Sequence, residues 1–226
     1  NLAQVKKAAA ITNNNAGLLP KDKADAIVRA CDEVIAGKWA EEFIVDAIQG
    51  GAGTSANMNM NEVIANRAGE LLGCPKGSYK MVHPNDHVNM AQSTNDVIPT
   101  AGKLTVLDLL APLEKALGRL ERELAKKAEE FDDVITMGRT QLQDAVPIRL
   151  GQVFHGYASM VARDRKRIEK AHKEMYTVNL GGTAVGTAIN VSDSYFYKIV
   201  PNLEKLTGYP LRQAEDLFLS LIHISE

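Results

Sequence analysis

The stretch NDVIPTAGKLTVLDLLAPLEKALGRLERELAKKAEEF, residues 95–131, decides the fold. Within it Leu107, Leu110, Leu113, Leu117, Leu120, Leu124, Ala128 and Phe131 recur at steps of three and four, which aligns them on one face of an α-helix. The other face carries Arg119, Glu121, Arg122, Lys126, Lys127 and Glu130, spaced for ion pairs along a helix surface. Pro99 falls in the first turns, where proline is tolerated. The spacing predicts a single helix over 95–131, roughly 55 Å long at about 1.5 Å per residue. A compact globule of 226 residues is only about 45 Å across. Such a helix overhangs its own domain and leaves an apolar seam for other subunits to cover, as in an oligomeric helix bundle. A break near Gly118 into two shorter helices is the alternative.

Working outward, Leu150, Phe154, Tyr157, Val161, Ile168, Ala171, Met175 and Val178 predict a second long helix opening at Pro147. Shorter helices are expected upstream, from Leu2 to about Asn13, from Pro20 to Gly37 and from Asn57 to Leu72, the last closed by Gly73. Strand signals are confined to Tyr79–Val82 and Val134–Thr136. Polar, glycine-bearing loops are expected at 45–56, 74–94, 132–146 and 179–193. The expected fold class is therefore all-α. It comprises an N-terminal helical domain over 1–93, the first long helices of a bundle over 94–218, and a separate tail over 219–226.

Composition excludes several functions. A net charge of −2 and a pI near 6.3 give no basic field for nucleic acid or an anionic membrane. Aromatic residues are 5%, too few for a base-stacking platform, whereas 45% hydrophobic residues suffice for a core. Cys31 and Cys74 are too few for a disulfide scaffold or a Cys-rich zinc site and suit a reducing cytoplasm. No apolar run approaches the roughly 20 residues that span a bilayer, and no signal peptide opens the chain. A start at Asn1 rather than Met reads as a truncation.

The chemistry lies in the loops. Gln49-Gly50-Gly51-Ala52-Gly53-Thr54-Ser55-Ala56-Asn57 sets glycines and hydroxyls at a helix start, a composition suited to an anion. It also fits a loose dinucleotide pattern through Gly51, Gly53, Ala56 and Glu70, but Glu70 falls in a predicted helix where that unit needs a strand. In the second loop, His83-Pro84-Asn85-Asp86-His87-Val88-Asn89 precedes Gln92-Ser93-Thr94-Asn95-Asp96. One helix cap needs one polar residue, and here several stand in a row where backbone N–H groups would face a carboxylate. His83, Asp86 and His87 have metal-like spacing, yet Pro84 opposes a regular helix and no other ligand cluster is near, so hydrogen-bonded histidines fit better. Polar residues recur in MGRTQLQDAVP, 137–147, and small ones in NLGGTAVGTAIN, 179–190. From residues alone this is a helical oligomer whose loops could hold a small anionic metabolite. A non-catalytic helical scaffold remains open.

Together GGAGTSANMNMN (50–61), HPNDHVNMAQSTND (83–96), MGRTQLQDAVP (137–147) and NLGGTAVGTAIN (179–190) resemble the aspartase/fumarase superfamily in order and spacing, from about residue 4 to 217. The segment Thr140-Gln141-Leu142-Gln143-Asp144-Ala145-Val146-Pro147 is most similar to the aspartase branch. A class II fumarase-like hydratase, or another superfamily lyase yielding fumarate, is the alternative. The resemblance implies a homotetramer without cofactor or metal that converts L-aspartate reversibly to fumarate and ammonia. It implies that Thr54, Ser93 and Thr94 hold the carboxylate that gathers charge, and that Asn95, Thr140 and Gln141 contact the amino group. A second dicarboxylate site is implied at His83, Asn85 and Asp86, with Lys80 where relatives have arginine. The family's serine base sits on a Gly-Ser-Ser loop in a C-terminal half that has no counterpart here. No catalytic base is therefore assigned, and the chain alone is expected to be inactive. Beyond Leu217 the family pattern is lost, and the last eight residues, 219–226, resemble translated adapter sequence.

Overall fold

A computed structural model of the chain describes residues 1–48 and 52–218. Gln49, Gly50 and Gly51 of the first loop and the tail at 219–226 lie outside the described residues. Helices dominate: α1 (Leu2–Asn15), α2 (Lys21–Ile35), α3 (Thr54–Leu71), α4 (Thr94–Glu130), α5 (Leu150–Glu174) and α6 (Asp193–Thr207). Among the described residues four short strands accompany them, β1 (Ile135–Thr140), β2 (Gln143–Arg149), β3 (Thr177–Val178) and β4 (Arg212–Gln213). Among the described residues no helix is long and apolar enough to cross a membrane.

The described residues form two compact units, one from Asn1–Thr105 with those from Tyr176 onward, the other from Val106–Met175. In the first, α1 packs on α2 and α6, and α2 on α3. The core is rich in small side chains, with Ala10, Ala26, Ile27, Ala30, Cys31, Ile64, Ala65 and Ala68 all buried, so these helices approach closely. Burial pushes the Cys31 thiol up to about 12, which leaves it a packed, unreactive group. Helix α6 adds Tyr195, Ile199 and Leu203 to the interior, and Asn202 Nδ2 donates to Thr12 Oγ1 at 2.8 Å. A parallel pairing of β3 with β4 closes the unit.

In the second unit the latter part of α4 faces α5 through ion pairs of Glu121 with Arg165 and of Glu114 with His172 (3.1 Å), and through the rings of Phe131 and Phe154. Helix α4 is unbroken through Gly118. Its seam is only partly covered, with Leu107 buried but Leu113 and Leu120 exposed by 44% and 47%, and Leu109 beside the seam is exposed as well.

The boundaries depart from the sequence reading in four places. Helix α3 starts three residues earlier, at Thr54, because Gly53 takes a left-handed φ of 86° and launches the helix directly. The expected loop at 132–146 contains most of an antiparallel hairpin, β1 with β2, whose register runs from Ile135 opposite Arg149 to Thr140 opposite Gln143. That pairing delays the second long helix from Pro147 to Leu150, and Thr177–Val178 are drawn into β3, so it ends at Glu174. Pro147 fits there because each strand of a two-stranded ribbon has a free edge that needs no N–H. Finally, α6 occupies a stretch left unassigned, and Tyr79–Val82 forms no strand.

Where the hairpin meets α5, Leu150 N donates to Val134 O and Gly151 N to Phe131 O. A Cβ at Gly151 would stand 2.3 Å from the Ala128 carbonyl oxygen and 2.8 Å from Asp132 Cα, both backbone atoms. Gly151→Ala should therefore destabilise the protein by about 1–3 kcal/mol through overpacking, read as a lower urea midpoint. An unchanged midpoint would mean that α4 and α5 separate here without cost.

Candidate active site

The site residues named from sequence fall in both units, and each group is described within its own. In the first unit, α3 begins at Thr54 with no side-chain cap, and the Thr54 and Ser55 side chains are exposed. Its first backbone N–H groups therefore have no side-chain acceptor within the helix start. Gly53 is required by space as well as by φ, since a Cβ would lie 3.0 Å from Ile98 Cγ2.

Helix α4 starts with Ser93, whose Oγ accepts from Asn95 N at 3.3 Å, while Asp96 Oδ1 accepts from Ser93 N at 2.9 Å. This is a reciprocal cap with Asp in the returning position. Of the row of polar residues, Ser93 caps the helix, and the two that follow are released for other work. Thr94 Oγ1 accepts from Asn57 Nδ2 at 3.2 Å. Asn95 Nδ2 donates to Ala184 O at 2.6 Å, so its Oδ1 remains as the end that can accept from an ammonium.

Pro99 has a structural consequence here. Lacking an N–H, it cannot bond the Asn95 carbonyl, and Asn179 Nδ2 donates to that oxygen instead at 3.1 Å. The 179–190 loop is thereby held on the start of α4. The other Asp96 oxygen accepts from Gly181 N and Thr183 N, each at 3.1 Å. One fully buried carboxylate thus joins the polar row at Ser93 to the small-residue loop. Burial pushes the Asp96 carboxyl up to about 6, against the opposing pull of its three N–H donors and of Lys6.

Lys6 is likewise fully buried, and burial holds it down at about 7 despite nearby Asp96. Its Nζ donates to Asn89 Oδ1 at 2.8 Å. Asp96, Lys6, Asn57 and Asn89 were not singled out from sequence. Three lie inside the quoted motifs, and Lys6 shares a helix face with buried Ala3, Ala9 and Ala10. A lysine on an apolar helix face is the signal that could have found it.

These shifts set a pH dependence. Between about pH 4 and 6 native Asp96 keeps a proton that the unfolded chain has released, so stability falls as pH rises. Above about 7 the unfolded chain keeps on Lys6 a proton that the native state has released, so stability rises. The urea midpoint should therefore climb between pH 7 and 9, and Lys6→Met should flatten that climb. Equal slopes in the two proteins would remove Lys6 as its source.

His83 caps a π-helical turn over Pro84–Val88, its Nδ1 accepting from Asn85 N and Asp86 N at 3.3 Å each. The Asp86 carboxylate lies 3.3 Å from the same nitrogen, and Asn85 and Asp86 are exposed. His87 accepts from His83 N at 2.8 Å and stands 3.0 Å from Lys23 Nζ, its pKa lowered by burial and by that lysine. Among the described residues no group of three or more His, Cys, Asp or Glu could hold a metal ion.

In the second unit Thr140 and Gln141 lie at the hairpin tip, exposed to solvent. Gln141 and Leu142 have φ of 48° and 66°, the two left-handed positions of a two-residue turn that favours Asn-Gly. Neither residue adopts that conformation freely, so the tip stores strain next to the polar side chains that the sequence singled out. A cavity of about 430 Å³ lies elsewhere, lined by Trp39, Asn59, Arg67, Glu70 and Lys76 among others, and contains none of the sequence-predicted residues. Its wall is braced by Arg67, which lies over Trp39 and holds the Glu33 carboxylate down at about 2.

A family profile described as lyase matches residues 1–222. The chain is similar to an aspartate ammonia-lyase of a Bacillus species, 54% identical over 96% of this chain and 46% of that protein. It is also similar to a class II fumarate hydratase of Thermosynechococcus vestitus, 48% identical over 97% of this chain and 47% of that protein. Among solved structures, a fumarate lyase:delta crystallin of Brucella melitensis bound to cobalt superposes with a TM-score of 0.88 at 51% identity, covering 96% of this chain and 47% of that one. A class II fumarase of Schistosoma mansoni gives 0.86 at 38% identity, over 96% and 49%. The chain spans about half the length of the curated relatives it matches.

Proposed function

The chain belongs to the lyase family whose profile covers residues 1–222, and from that premise we propose that the full-length protein carrying it deaminates L-aspartate reversibly to fumarate and ammonia. The observation that carries this reading is the start of α4. There Ser93, Thr94 and Asn95 stand in a row, Ser93 and Thr94 already accepting from N–H donors and Asn95 with its Nδ2 engaged. A hydroxyl whose oxygen already accepts has its hydrogen left to donate, which suits a carboxylate. An Asn Oδ1 suits an ammonium.

In the reaction a base takes the proton from Cβ, and the C–H electron pair delocalises into the adjacent carboxylate as an enediolate-like dianion. That pair then forms the Cα–Cβ double bond as ammonia leaves Cα. Thr54, Ser93 and Thr94 stabilise the charge gathered on the carboxylate, the main electrostatic task. Asn95, Thr140 and Gln141 orient the amino group. The serine base comes from a part of the family's sequence that this chain does not match. His83, Asn85 and Asp86 belong to an accessory dicarboxylate site, where the Nδ1 of His83 is engaged by the turn and its other ring nitrogen is the one to face an anion.

The domain division at 93/94, where α4 begins, belongs to the full-length protein, as does assembly into a cytoplasmic homotetramer. Exposed Leu109, Leu113 and Leu120 on α4 support that assembly. The test is the reaction itself. The full-length protein should release ammonia from L-aspartate and fail to hydrate fumarate appreciably. Malate formation at a comparable rate would favour the second reading, a class II fumarase, which the 48% identity to such a hydratase keeps in play.

A further inference from the structure

We propose that Lys6, Asn89 and Asn57 are positioning residues whose partly buried chain of hydrogen bonds turns the Thr94 hydroxyl hydrogen toward the substrate carboxylate; this rests on the reading of Thr94 as a carboxylate ligand. An ammonium can only donate, so the Asn89 atom 2.8 Å from Lys6 Nζ is the amide oxygen. The Asn89 nitrogen is fixed at the other end, donating to Gln92 O at 3.3 Å. An oxygen accepts only from a donor, so Asn57 presents Nδ2 to Asn89 Oδ1, at 3.4 Å. That leaves Asn57 Oδ1 buried without a partner, and the opposite orientation would set one amide oxygen against another. The second hydrogen of Asn57 Nδ2 goes to Thr94 Oγ1 at 3.2 Å. With that oxygen accepting, the hydroxyl hydrogen is left to donate away from the chain.

Direction is therefore set at Lys6 and passed through two amides to a residue 88 positions later in sequence, each link polarising the next in a low-dielectric interior. Lys6 and Asn57 are buried and are assigned no contact with substrate, so they act through Thr94, to which Asn57 is bonded. Asp96 on α4 and Cys31 on α2 are the titratable groups that face Lys6.

The experiment is a double-mutant cycle in the full-length protein, with succinate as the probe. Succinate is a dicarboxylate without an amino group, and its dissociation constant is measured by calorimetry at pH 6.5. Lys6→Met and Asn57→Leu should each weaken binding by about tenfold, the cost of turning one donor from an anion. In a Thr94→Val background the same changes should weaken it less than about twofold, because no hydroxyl remains to direct. Parental affinity should also fall between pH 7 and 8.5, and Lys6→Met should abolish that fall; Asp96, at about 6, and Cys31, at about 12, titrate outside this range. Equal losses in both backgrounds, or no loss in the parent, would overturn the proposal, as would a parent that does not bind succinate. A parent that binds succinate but leaves L-aspartate unchanged would instead sink the proposed reaction, while the cycle still decides the chain of hydrogen bonds.

Discussion

Ser93→Ala and Thr140→Ala, each made in the full-length protein, are expected to lower turnover of L-aspartate by on the order of 10²–10³, the cost of losing one donor to developing charge. The two sites differ in what else they lose, which makes the pair informative. Ser93 caps α4, so its loss also costs about 1 kcal/mol of helix stability. The reciprocal bond from Ser93 N to Asp96 uses the backbone and survives in alanine. Thr140 is exposed at the hairpin tip, and no comparable structural cost attends its removal. Both variants should keep the parental circular dichroism. If both retained parental kcat and KM, these hydroxyls would not be substrate ligands.

The 226 residues alone should release no ammonia. General base catalysis needs a base within hydrogen-bond reach of the Cβ proton, and the proposed reaction assigns that base to none of the residues of this chain. Exposed Leu109, Leu113 and Leu120 on α4, with Tyr157 and Met160 on α5, should also drive the isolated chain into associated species. The measurement is an ammonia assay beside size-exclusion chromatography with light scattering. A monodisperse, active chain would mean that a base exists among residues assigned here to binding or to the surface.

The long helix was legible because its signal is repetitive. Eight apolar residues at steps of three and four leave little room for another period, and α4 runs within one residue of the expected span at each end. The hairpin was not legible because both its faces are largely exposed. Only Val134–Thr136 reads as a strand, because Gly138 interrupts ITMGRT beyond it and Pro147 interrupts QDAVPIR. Its register comes from a turn that the local sequence does not favour. In the site, the hydroxyl and amide row stood out as a cluster of unusual composition. The groups that organise it did not, because a buried Asp or Lys is marked only by its partners. Asp96 gathers N–H groups from residues 85 and 87 positions away, a distance no local pattern records.

The discontinuity of the first unit sets a timetable for synthesis. Helix α1 packs against α6, and Thr12 finds its partner Asn202 190 residues downstream. At about 5–20 residues per second a ribosome needs roughly 10–40 s to make that interval. For that time α1 lacks the cover of α6, and the Asp96 carboxylate lacks the N–H groups of Gly181 and Thr183. The second unit, made entirely from Val106–Met175, can finish folding while the first still waits. The order of completion is then the reverse of the order of emergence, and the nascent chain needs chaperone protection most over its earliest residues.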